Sequence, residues 1–387
     1  MRVLVTASPG LGHMLPMVPI SWALRAAGHE VLLAMAGRSA EHVPMLAASG
    51  LHVVQTCGHE QFVRLMNAAR GSMDVKAWQQ KIKEASRSGE FDRLTSVAIG
   101  LFVPQSDAVA DAVVDIADNW RPDLVLHSPM EGAGPLAAAK LGVPAVEQSF
   151  GLFNPVNRVL MMAEALADAY RRHGVDGPPE RRGLLNVSPP SMGMPDTGWS
   201  MRYVPYNGGD QLPDWLLRTP DRPRVVVTLG TVLPGFQGLG PLQWLADVAG
   251  GIDAEFVVTL DGADAEQLGT LPANVRPVAY TPLTALLATS TAVVHHGGSG
   301  STMTSLAMGL PQLVVPQGAD QYNNAYEVAK RGVGFEVDTD VRSVDADDLT
   351  RLLTDASLAA AAAEVKAEIA GQPAPAALVS RLVELVG

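Results

Sequence analysis

Cysteine and long apolar runs are nearly missing from this sequence of 387 residues. The one cysteine, Cys57, permits neither an internal disulfide nor a cluster of thiolates around a metal ion. No run approaches the ~20 apolar residues that a transmembrane helix needs. The apolar run at the N-terminus is too short for the core of a signal peptide. These absences predict a cytoplasmic protein without a membrane anchor.

Basic residues are scarce in the second half of the chain. Residues 225–387 contain 18 Asp or Glu and seven Lys or Arg, whereas residues 1–224 contain 22 acidic and 21 basic residues. An acidic surface repels a phosphate backbone, so nucleic-acid binding is excluded. A small phosphate ligand is not excluded, because backbone amides and helix dipoles can bind it without lysine or arginine.

Short β-branched runs alternate with helical stretches throughout, which predicts α/β domains with parallel sheets. At about 150 residues per domain, the length favours two domains. Proline and glycine are dense between Tyr203 and Arg224, which predicts a linker. We therefore expect two Rossmann-like domains, residues 1–205 and 225–370, joined by a linker at 206–224. An amphipathic helix at 371–387 is expected to cross back to the first domain.

The predicted strands are short and end in loops or helices. They are Arg2–Thr6, Val31–Ala34, Asp123–His127 and Ala145–Gln148 in the first half, and Val225–Leu229, Glu255–Leu260, Ala292–His296 and Leu313–Pro316 in the second. A helix from about Met14 to Ala27 follows the first strand. Helices and loops are expected over residues 58–100.

Two histidines and a glycine-rich loop follow the strand at Ala292 and lead into a helical run. The segment continues from His295 with His296, Gly297, Gly298, Ser299, Gly300 and Ser301. Glycines let a ligand approach the backbone, and the first amides of a helix favour an anion. The Gly-Lys-Ser/Thr ending of a Walker loop is absent. A phosphate here would be held by amides, hydroxyls and His295.

Other polar residues in the second half could complete a nucleotide-sugar site. Asp320 and Gln321 place a carboxylate beside an amide, a pair that can bind adjacent sugar hydroxyls. Tyr280 follows a strand at a loop where a base could stack. Thr231 ends the first strand of this half, where open α/β sheets place their ligands.

His13 follows the first strand in the segment Ser8-Pro9-Gly10-Leu11-Gly12-His13. A dinucleotide-binding fingerprint would need a third glycine where Leu15 stands, which disfavours an NAD-dependent oxidoreductase. A histidine at a helix N-terminus should be neutral near pH 7, because the helix dipole disfavours imidazolium. Such a ring can accept a proton as a general base.

These motifs, in this order, resemble the nucleotide-sugar-dependent glycosyltransferases of the GT-B fold, family 1. The segments Met201–Gly209 and Glu131–Leu136 are similar to bacterial anthracycline-type rhamnosyl and deoxysugar transferases of antibiotic biosynthesis. The resemblance covers nearly the whole chain. It implies two Rossmann-like domains that face each other across a cleft.

The resemblance also implies roles for individual residues. His13 matches the general base. His295 and the loop amides after it match the diphosphate-binding group, Asp320 and Gln321 face the donor sugar, and Tyr280 falls where the family often has a base-stacking Trp. Plant relatives carry a ribose-binding Glu eight residues after the first motif histidine. The residue here is Met303, which cannot accept those hydrogen bonds, so a dTDP-sugar is favoured over a UDP-sugar.

Plant relatives also support the histidine base with an Asp near the end of a later strand. The corresponding segment here, Leu126–Pro129, contains no carboxylate. Two alternatives follow. Either Ser128, Glu131 or a backbone carbonyl orients His13, or the acceptor hydroxyl is acidic enough to need little help, as a phenol with a pKa near ~10 would be.

The sequence therefore predicts an inverting glycosyltransferase that moves a deoxysugar from a dTDP-sugar to a hydroxyl of an aromatic polyketide, with neither metal nor cofactor. Its partners would be the nucleotide sugar and the aglycone, and homodimer formation is left open. Acceptor-binding candidates are Phe62, Met66, Met73, Ser128, Glu131, Phe150 and Phe153. Alternatives are C-glycosylation of a phenolic polyketide, a non-catalytic auxiliary subunit of a transferase pair, and a nucleotide-sugar hydrolase or epimerase.

Overall fold

The computed structural model of the chain divides into two compact units. One unit comprises Met1–Gly209 with Gly371–Gly387, and the other comprises Asp210–Ala370. The residues that the structure describes are 1–36, 42–58, 60–61, 64, 75–88, 91–153, 155, 157–230, 239, 242, 244–260, 267–338 and 341–387. The predictions for Phe62, Met66, Met73 and Thr231 lie outside the described residues.

The first unit is built on a parallel sheet in the order β3-β2-β1-β4-β5-β6-β7. Its strands are β1 (Arg2–Ala7), β2 (Glu30–Ala36), β3 (His52–Cys57), β4 (Leu124–His127), β5 (Ala145–Gln148), β6 (Arg182–Asn186) and β7 (Trp199–Ser200). The central strands β1, β4 and β5 are buried almost throughout, as expected of strands covered by helices on both faces. The sequence pattern missed β3, β6 and β7, whose residues are partly exposed.

Helices pack on this sheet and connect its strands. They are α1 (Leu11–Met14), α2 (Val18–Ala26), α3 (His42–Ala47), α4 (Val75–Ser88), α5 (Phe91–Trp120), α6 (Ala133–Leu141), α7 (Arg158–Ala165) and α8 (Ala167–Arg172). The single helix predicted over Met14–Ala27 is wrong at its start. The chain turns helical at Leu11, tightens into a 3-10 turn at Leu15–Met17 and then enters α2. Pro16 and Pro19 explain the break, because each lacks an N–H for a continuous helix and fits only a first turn.

The second unit has a parallel sheet in the order β10-β9-β8-β11-β12-β13. Its strands are β8 (Arg224–Thr228), β9 (Glu255–Thr259), β10 (Val275–Val278), β11 (Ala292–His295), β12 (Gln312–Val314) and β13 (Gly334–Glu336). Its helices are α9 (Trp244–Val248), α10 (Leu283–Leu287), α11 (Ser299–Met308), α12 (Gln321–Arg331), α13 (Ala346–Thr354) and α14 (Ala356–Gly371). One core of this unit packs β8, β9 and β11 against α9 and α13, with Phe256 fully buried.

The last helix, α15 (Pro375–Val386), belongs to the first unit and packs on α2. Arg181 of the first unit donates to the carbonyl oxygens of Leu385 and Val386, which ties down the end of the chain. The predicted fold class, two Rossmann-like sheets with a C-terminal helix returning to the first, is confirmed. In the part of the chain that the structure describes, no helix combines the length and apolarity of a membrane span.

Each sheet has one point at which its strand order reverses. In the first unit it lies between β1 and β4, and in the second between β8 and β11. Open α/β sheets bind ligands outside the carboxyl ends of the strands at this switch point. A ligand is therefore expected at the loops that follow these four strands.

Candidate active site

His13 lies at the switch point of the first unit, in the one-turn helix α1 that follows β1. Two aromatic rings contact its imidazole edge-on: Phe102 of α5, with ring centroids 5.4 Å apart, and Phe150 after β5, at 4.8 Å. The ring is half-buried and its Nδ1 atom is fully buried. Burial lowers the pKa of His13 to about 4. The ring is therefore neutral at pH 7, as predicted, but through desolvation rather than the helix dipole.

The structure does not show the orienting group that was the first of the two alternatives for His13. Among the described residues, Nδ1 of His13 has no hydrogen-bond partner. Ser128 instead accepts a hydrogen bond from the backbone N–H of Ser8, at 3.1 Å. Glu131 accepts from the hydroxyl of Thr6 at 2.6 Å. Orientation of His13 by Ser128, Glu131 or a backbone carbonyl, the first alternative, is therefore wrong.

Glu131 stabilises the start of α6 and the end of β1. Its carboxylate accepts the backbone N–H groups of Ala133 at 2.8 Å and Gly134 at 3.0 Å, as well as the Thr6 hydroxyl. Burial raises the pKa of Glu131, against these hydrogen bonds and the nearby His127, which lower it. Gly134 is required here, because a Cβ would stand 2.2 Å from Oγ1 of Thr6. Glu131 and Ser128 are both buried, and acceptor binding by either stays a prediction.

The loop after β5 carries the other acceptor candidates that the structure describes. Arg158 and Glu147 form an ion pair of 2.5 Å and are both buried. Arg158 also donates to the carbonyl oxygen of Phe153 at 2.9 Å. This pair thus anchors a loop that brings Phe150 to His13. Contact of Phe150 and Phe153 with an acceptor stays a prediction.

In the second unit, His295 ends β11 and is fully enclosed. Its Nε2 lies 2.8 Å from Oε1 of Gln312, and its Nδ1 accepts the backbone N–H of Gly297 at 3.0 Å. Nε2 therefore carries the proton. Burial lowers the pKa of His295 to about 4 despite the hydrogen bond with Gln312. These contacts leave neither ring nitrogen for a phosphate and make His295 a support of the loop.

His296 is the histidine that faces the loops at the second switch point. A Cβ added at Gly298 would stand 2.4 Å from its Nε2, and one added at Gly230 would stand 2.6 Å from its Cε1. The imidazole therefore fills the space that these two glycines leave open, after β8 and after β11. Burial, and then the neighbouring His295, lower the pKa of His296 to about 3 despite a hydrogen bond with the backbone of Thr228. It is a neutral ring beside the start of α11.

The start of α11 already holds a carboxylate. Oδ2 of Asp320 accepts the backbone N–H of Ser299 at 3.1 Å and its hydroxyl at 2.6 Å. Asn324 donates to the same oxygen at 3.1 Å and to the carbonyl of Gly297 at 2.8 Å. Although Asp320 is exposed as a residue, desolvation of its carboxyl raises its pKa, while the bonds from Ser299 and Asn324 lower it. The backbone N–H and the hydroxyl of Ser299, a predicted donor-binding residue, thus both donate to Asp320 within the protein.

Two further amides remain at this helix end. The N–H groups of Gly300 and Ser301 fall in the first turn of α11, where a helix provides no acceptor of its own. Gly297 adopts a φ of +88°, and a Cβ there would stand 2.8 Å from a methyl group of Val314. Glycine at this position lets the loop pack closely onto the next strand. The N–H groups of Gly300 and Ser301 are therefore the candidates for binding an anion at this helix end.

Gln321 and Tyr280 occupy two different parts of this edge. Oε1 of Gln321 accepts the backbone N–H groups of Gln317 at 2.8 Å and Gly318 at 3.2 Å, so its Nε2 is the atom left for a ligand. Tyr280 follows the edge strand β10 and is 37% exposed, enough for stacking. Met303 is fully buried within α11. A buried methionine cannot line an open ribose site, so it carries no argument about the donor.

Sequence reasoning missed Phe102, His296, Gln312 and Asn324. Asn324 stands one helical turn after Asp320, a spacing that could have signalled a shared contact. Phe102 and Gln312 are distant in sequence from the groups they touch, so no local pattern pointed to them. In the described ranges, no group of three or more His, Cys, Asp or Glu side chains is arranged to hold a metal ion.

The neutral histidines predict that acid destabilises the protein. Their pKa values of about 4 for His13 and His295 and about 3 for His296 lie below the ~6.5 of an unfolded chain. The unfolded chain therefore takes up protons first, and stability present above pH ~6.5 is lost as the pH falls towards 4. We expect the free energy of unfolding to fall by up to ~1.4 kcal/mol per pH unit for each histidine.

Urea unfolding between pH 7 and pH 4 measures this effect. The raised carboxyl pKa values of Glu131 and Asp320 act in the opposite direction, so variants must be compared with the parent rather than read alone. In the His295→Gln variant, up to one proton fewer should be taken up on unfolding, so the free energy of unfolding should depend less steeply on pH. An unchanged slope for this variant would contradict the low pKa assigned to His295.

Two parallel Rossmann-like sheets, each with a histidine at its switch point, define the class of nucleotide-sugar-dependent transferases with the GT-B fold. Comparison with known proteins agrees. Residues 22–230 match the family model for the N-terminal domain of erythromycin biosynthesis protein CIII-like proteins, and residues 243–385 match the model for their C-terminal domain. The chain belongs to this family and is a glycosyltransferase.

Individual relatives are similar over nearly their whole length. The chain is 40% identical to the elloramycin glycosyltransferase ElmGT of Streptomyces olivaceus over 385 residues, 99% of this chain and 97% of the relative. The glycosyltransferase SnogD from Streptomyces nogalater has a TM-score of 0.82 and 38% identity, covering 100% of this chain and 99% of the other. The spinosyn rhamnosyltransferase SpnG complexed with thymidine diphosphate has a TM-score of 0.79 and 30% identity, covering 99% and 100%.

Proposed function

We propose that this glycosyltransferase moves a deoxysugar from a dTDP-sugar to a phenolic hydroxyl of an aromatic polyketide, with inversion at the anomeric carbon. The observation that carries the proposal is the neutral His13 at the first switch point, within a chain that belongs to an antibiotic glycosyltransferase family. The thymidine diphosphate complex of a related rhamnosyltransferase supports the donor class. The relation to ElmGT supports an antibiotic aglycone as acceptor.

On the acceptor side, His13 is the general base. With Nδ1 buried, Nε2 is the nitrogen that takes the acceptor proton. The acceptor oxygen then forms a bond to the anomeric carbon, while the bond from that carbon to the diphosphate oxygen breaks. The electron pair of the broken bond leaves with dTDP. Attack on the side opposite the leaving group inverts the anomeric centre.

On the donor side, the start of α11 receives the growing negative charge. The N–H groups of Gly300 and Ser301 and the helix dipole stabilise an anion at this end. His296, rather than His295, is the histidine that would contact the diphosphate, because both ring nitrogens of His295 have side-chain or loop partners, whereas His296 lies beside this end with its ring hydrogen-bonded to the backbone of Thr228. We assign charge stabilisation to these groups without a metal, and so expect a chelator to leave turnover unchanged.

The sugar and the base use the remaining residues of the same edge. Oδ1 of Asp320 and Nε2 of Gln321 are the atoms of this pair that the loop contacts leave for sugar hydroxyls. Tyr280 stacks on the thymine ring after β10. Since Oδ2 of Asp320 already occupies the Ser299 amide, the diphosphate would meet a nearby negative charge. That repulsion favours release of dTDP after transfer.

The weak basicity of His13 selects the acceptor. Proton transfer to a base whose conjugate acid has a pKa of about 4 is steeply uphill from an aliphatic alcohol. The pKa of a phenol, ~10, is much nearer to the pKa of His13, so the same proton transfer is less unfavourable. No charged side chain in the described part of the protein raises the pKa of His13, so the required acidity comes from the acceptor.

A donor panel tests this function. The enzyme is incubated with an aromatic polyketide aglycone and matched dTDP- and UDP-sugars, with and without EDTA, and products are identified by mass. We expect the mass of aglycone plus deoxysugar with dTDP-sugars, at least tenfold faster than with UDP-sugars. Free sugar formed without acceptor would indicate a hydrolase. Donor binding without turnover would indicate an auxiliary subunit.

A further inference from the structure

The proposed base His13 and the strand residue Gln148 each bury a polar atom that has no hydrogen-bond partner among the residues that the structure describes. These atoms are Nδ1 of His13 and Oε1 of Gln148. Gln148 ends β5 and is 2% exposed. Buried polar atoms almost always have a hydrogen-bond partner, so each orphan atom needs an explanation.

The contacts of Gln148 tie it to the segment that carries His13. Its Nε2 donates to the carbonyl oxygen of Pro16 at 2.6 Å, in the turn that directly continues α1. This bond fixes which way the amide points, because an amide oxygen cannot face a carbonyl oxygen. Two residues further on, the ring of Phe150 contacts the imidazole at 4.8 Å. The end of β5 thus contacts the segment of His13 at Pro16 and the imidazole itself through Phe150.

The two orphan atoms are complementary in the state that would catalyse transfer. When Nε2 of His13 is the base, its proton resides on Nδ1, which makes that atom a buried donor. Oε1 of Gln148 is a buried acceptor. We propose that Gln148 is the positioning residue of His13, its Oε1 accepting the Nδ1–H directly or through one bridging water. This inference rests on the proposed function, because it requires His13 as the base.

The neighbouring carboxylate is already paired, which leaves the neutral amide of Gln148 as the partner of His13. Glu147, its neighbour on β5, is paired with Arg158 at 2.5 Å. The rings in contact with His13 belong to Phe102 and Phe150, and burial is the cause of its lowered pKa. An amide can fix the tautomer and orientation of the imidazole without raising its basicity. The site would therefore be oriented for transfer yet limited to acidic hydroxyls.

The test compares the pH dependence of kcat/KM for the parent, Gln148→Glu and Gln148→Leu with a phenolic acceptor. A carboxylate facing Nδ1 should move the acid limb up by about one pH unit or more. It should also increase activity on an aliphatic alcohol relative to the phenol. The leucine variant should lose roughly 10- to 100-fold in kcat with little change in the KM of the donor.

Gln372→Glu is the matched control. Gln372 is also buried at 5% exposure, also donates to a backbone carbonyl, that of Ser188 at 2.8 Å, and also has an orphan Oε1. This variant should leave the acid limb in place. A Gln148→Glu acid limb that matches the parent, or a Gln148→Leu variant with parental kcat, would overturn the inference.

Nitrogen-15 NMR of His13 keeps the inference testable if the Gln148 variants do not fold. The signals are assigned by their loss in the His13→Ala variant. We expect the proton on Nδ1 in the parent protein, and a proton on Nε2 alone would overturn the inference. If His13→Ala retained activity, the proposed function itself would fail. If His13→Ala were inactive and Gln148→Glu had no effect, only the role of Gln148 would fail.

Discussion

Replacing His13 with alanine is expected to lower kcat by about 10²- to 10⁴-fold, the range that a positioned general base contributes. The fold should survive, because the ring is only half-buried and makes edge contacts with Phe102 and Phe150. Donor binding should change little, since His13 and the donor-binding loop belong to separate units. The loss should therefore appear in the chemical step.

Single-turnover kinetics with a phenolic acceptor measures this loss directly. His173→Ala is a suitable control, because His173 pairs with Asp111 at the surface of the same unit, at 2.8 Å. That variant should retain parental kcat. Turnover of the phenolic acceptor that was unchanged in His13→Ala would rule out His13 as the base.

The second large effect separates the two adjacent histidines. His296→Ala should lower kcat/KM by about 10²- to 10³-fold, as loss of one group that stabilises a developing oxyanion typically does. His295→Ala should act on stability instead, because it breaks the buried contacts with Gln312 and Gly297. Each buried group left unpaired costs about 1–3 kcal/mol.

Calorimetry distinguishes these outcomes. Titration with dTDP reports binding by each folded variant, and thermal unfolding reports stability. We expect His296→Ala to bind dTDP more weakly at an unchanged Tm, and His295→Ala to unfold at a lower Tm. Weakened dTDP binding in His295→Ala together with parental binding in His296→Ala would contradict this assignment and show that His295 contacts the phosphate.

The sequence predicted the architecture well because the signals are local. The buried strand Ala145–Gln148 directly follows Pro144, and it was predicted with its correct ends although Glu147 and Gln148 are polar. Partly exposed strands were missed. The strand Arg182–Asn186, for example, is partly exposed and carries polar residues at both ends.

Placement within the candidate site was harder to predict. Both His295 and His296 follow the same strand, and only the contacts of the folded chain separate the enclosed ring from the one between Gly230 and Gly298. The aromatic contact from Phe102 crosses from a long helix to α1. Such contacts depend on tertiary packing, and they produce no regular residue spacing by which the sequence could predict them.

The acidity of the second half is compatible with a nucleotide because the charge is local. The loop after β11 contains no lysine or arginine, and Asp320 bonds directly to the first amide of α11. Binding must therefore come from amides, the helix dipole and a neutral histidine. Such a site would hold a diphosphate without binding it so tightly that product release becomes slow.

The anomeric configuration of the product tests the central claim most directly. A dTDP-deoxysugar of known configuration is supplied with an aromatic polyketide aglycone, and the anomeric proton–carbon coupling of the purified glycoside is measured by NMR. Direct attack by an acceptor oxygen deprotonated by His13 predicts a glycoside of the opposite configuration to the donor. A glycoside with the configuration of the donor would contradict the account.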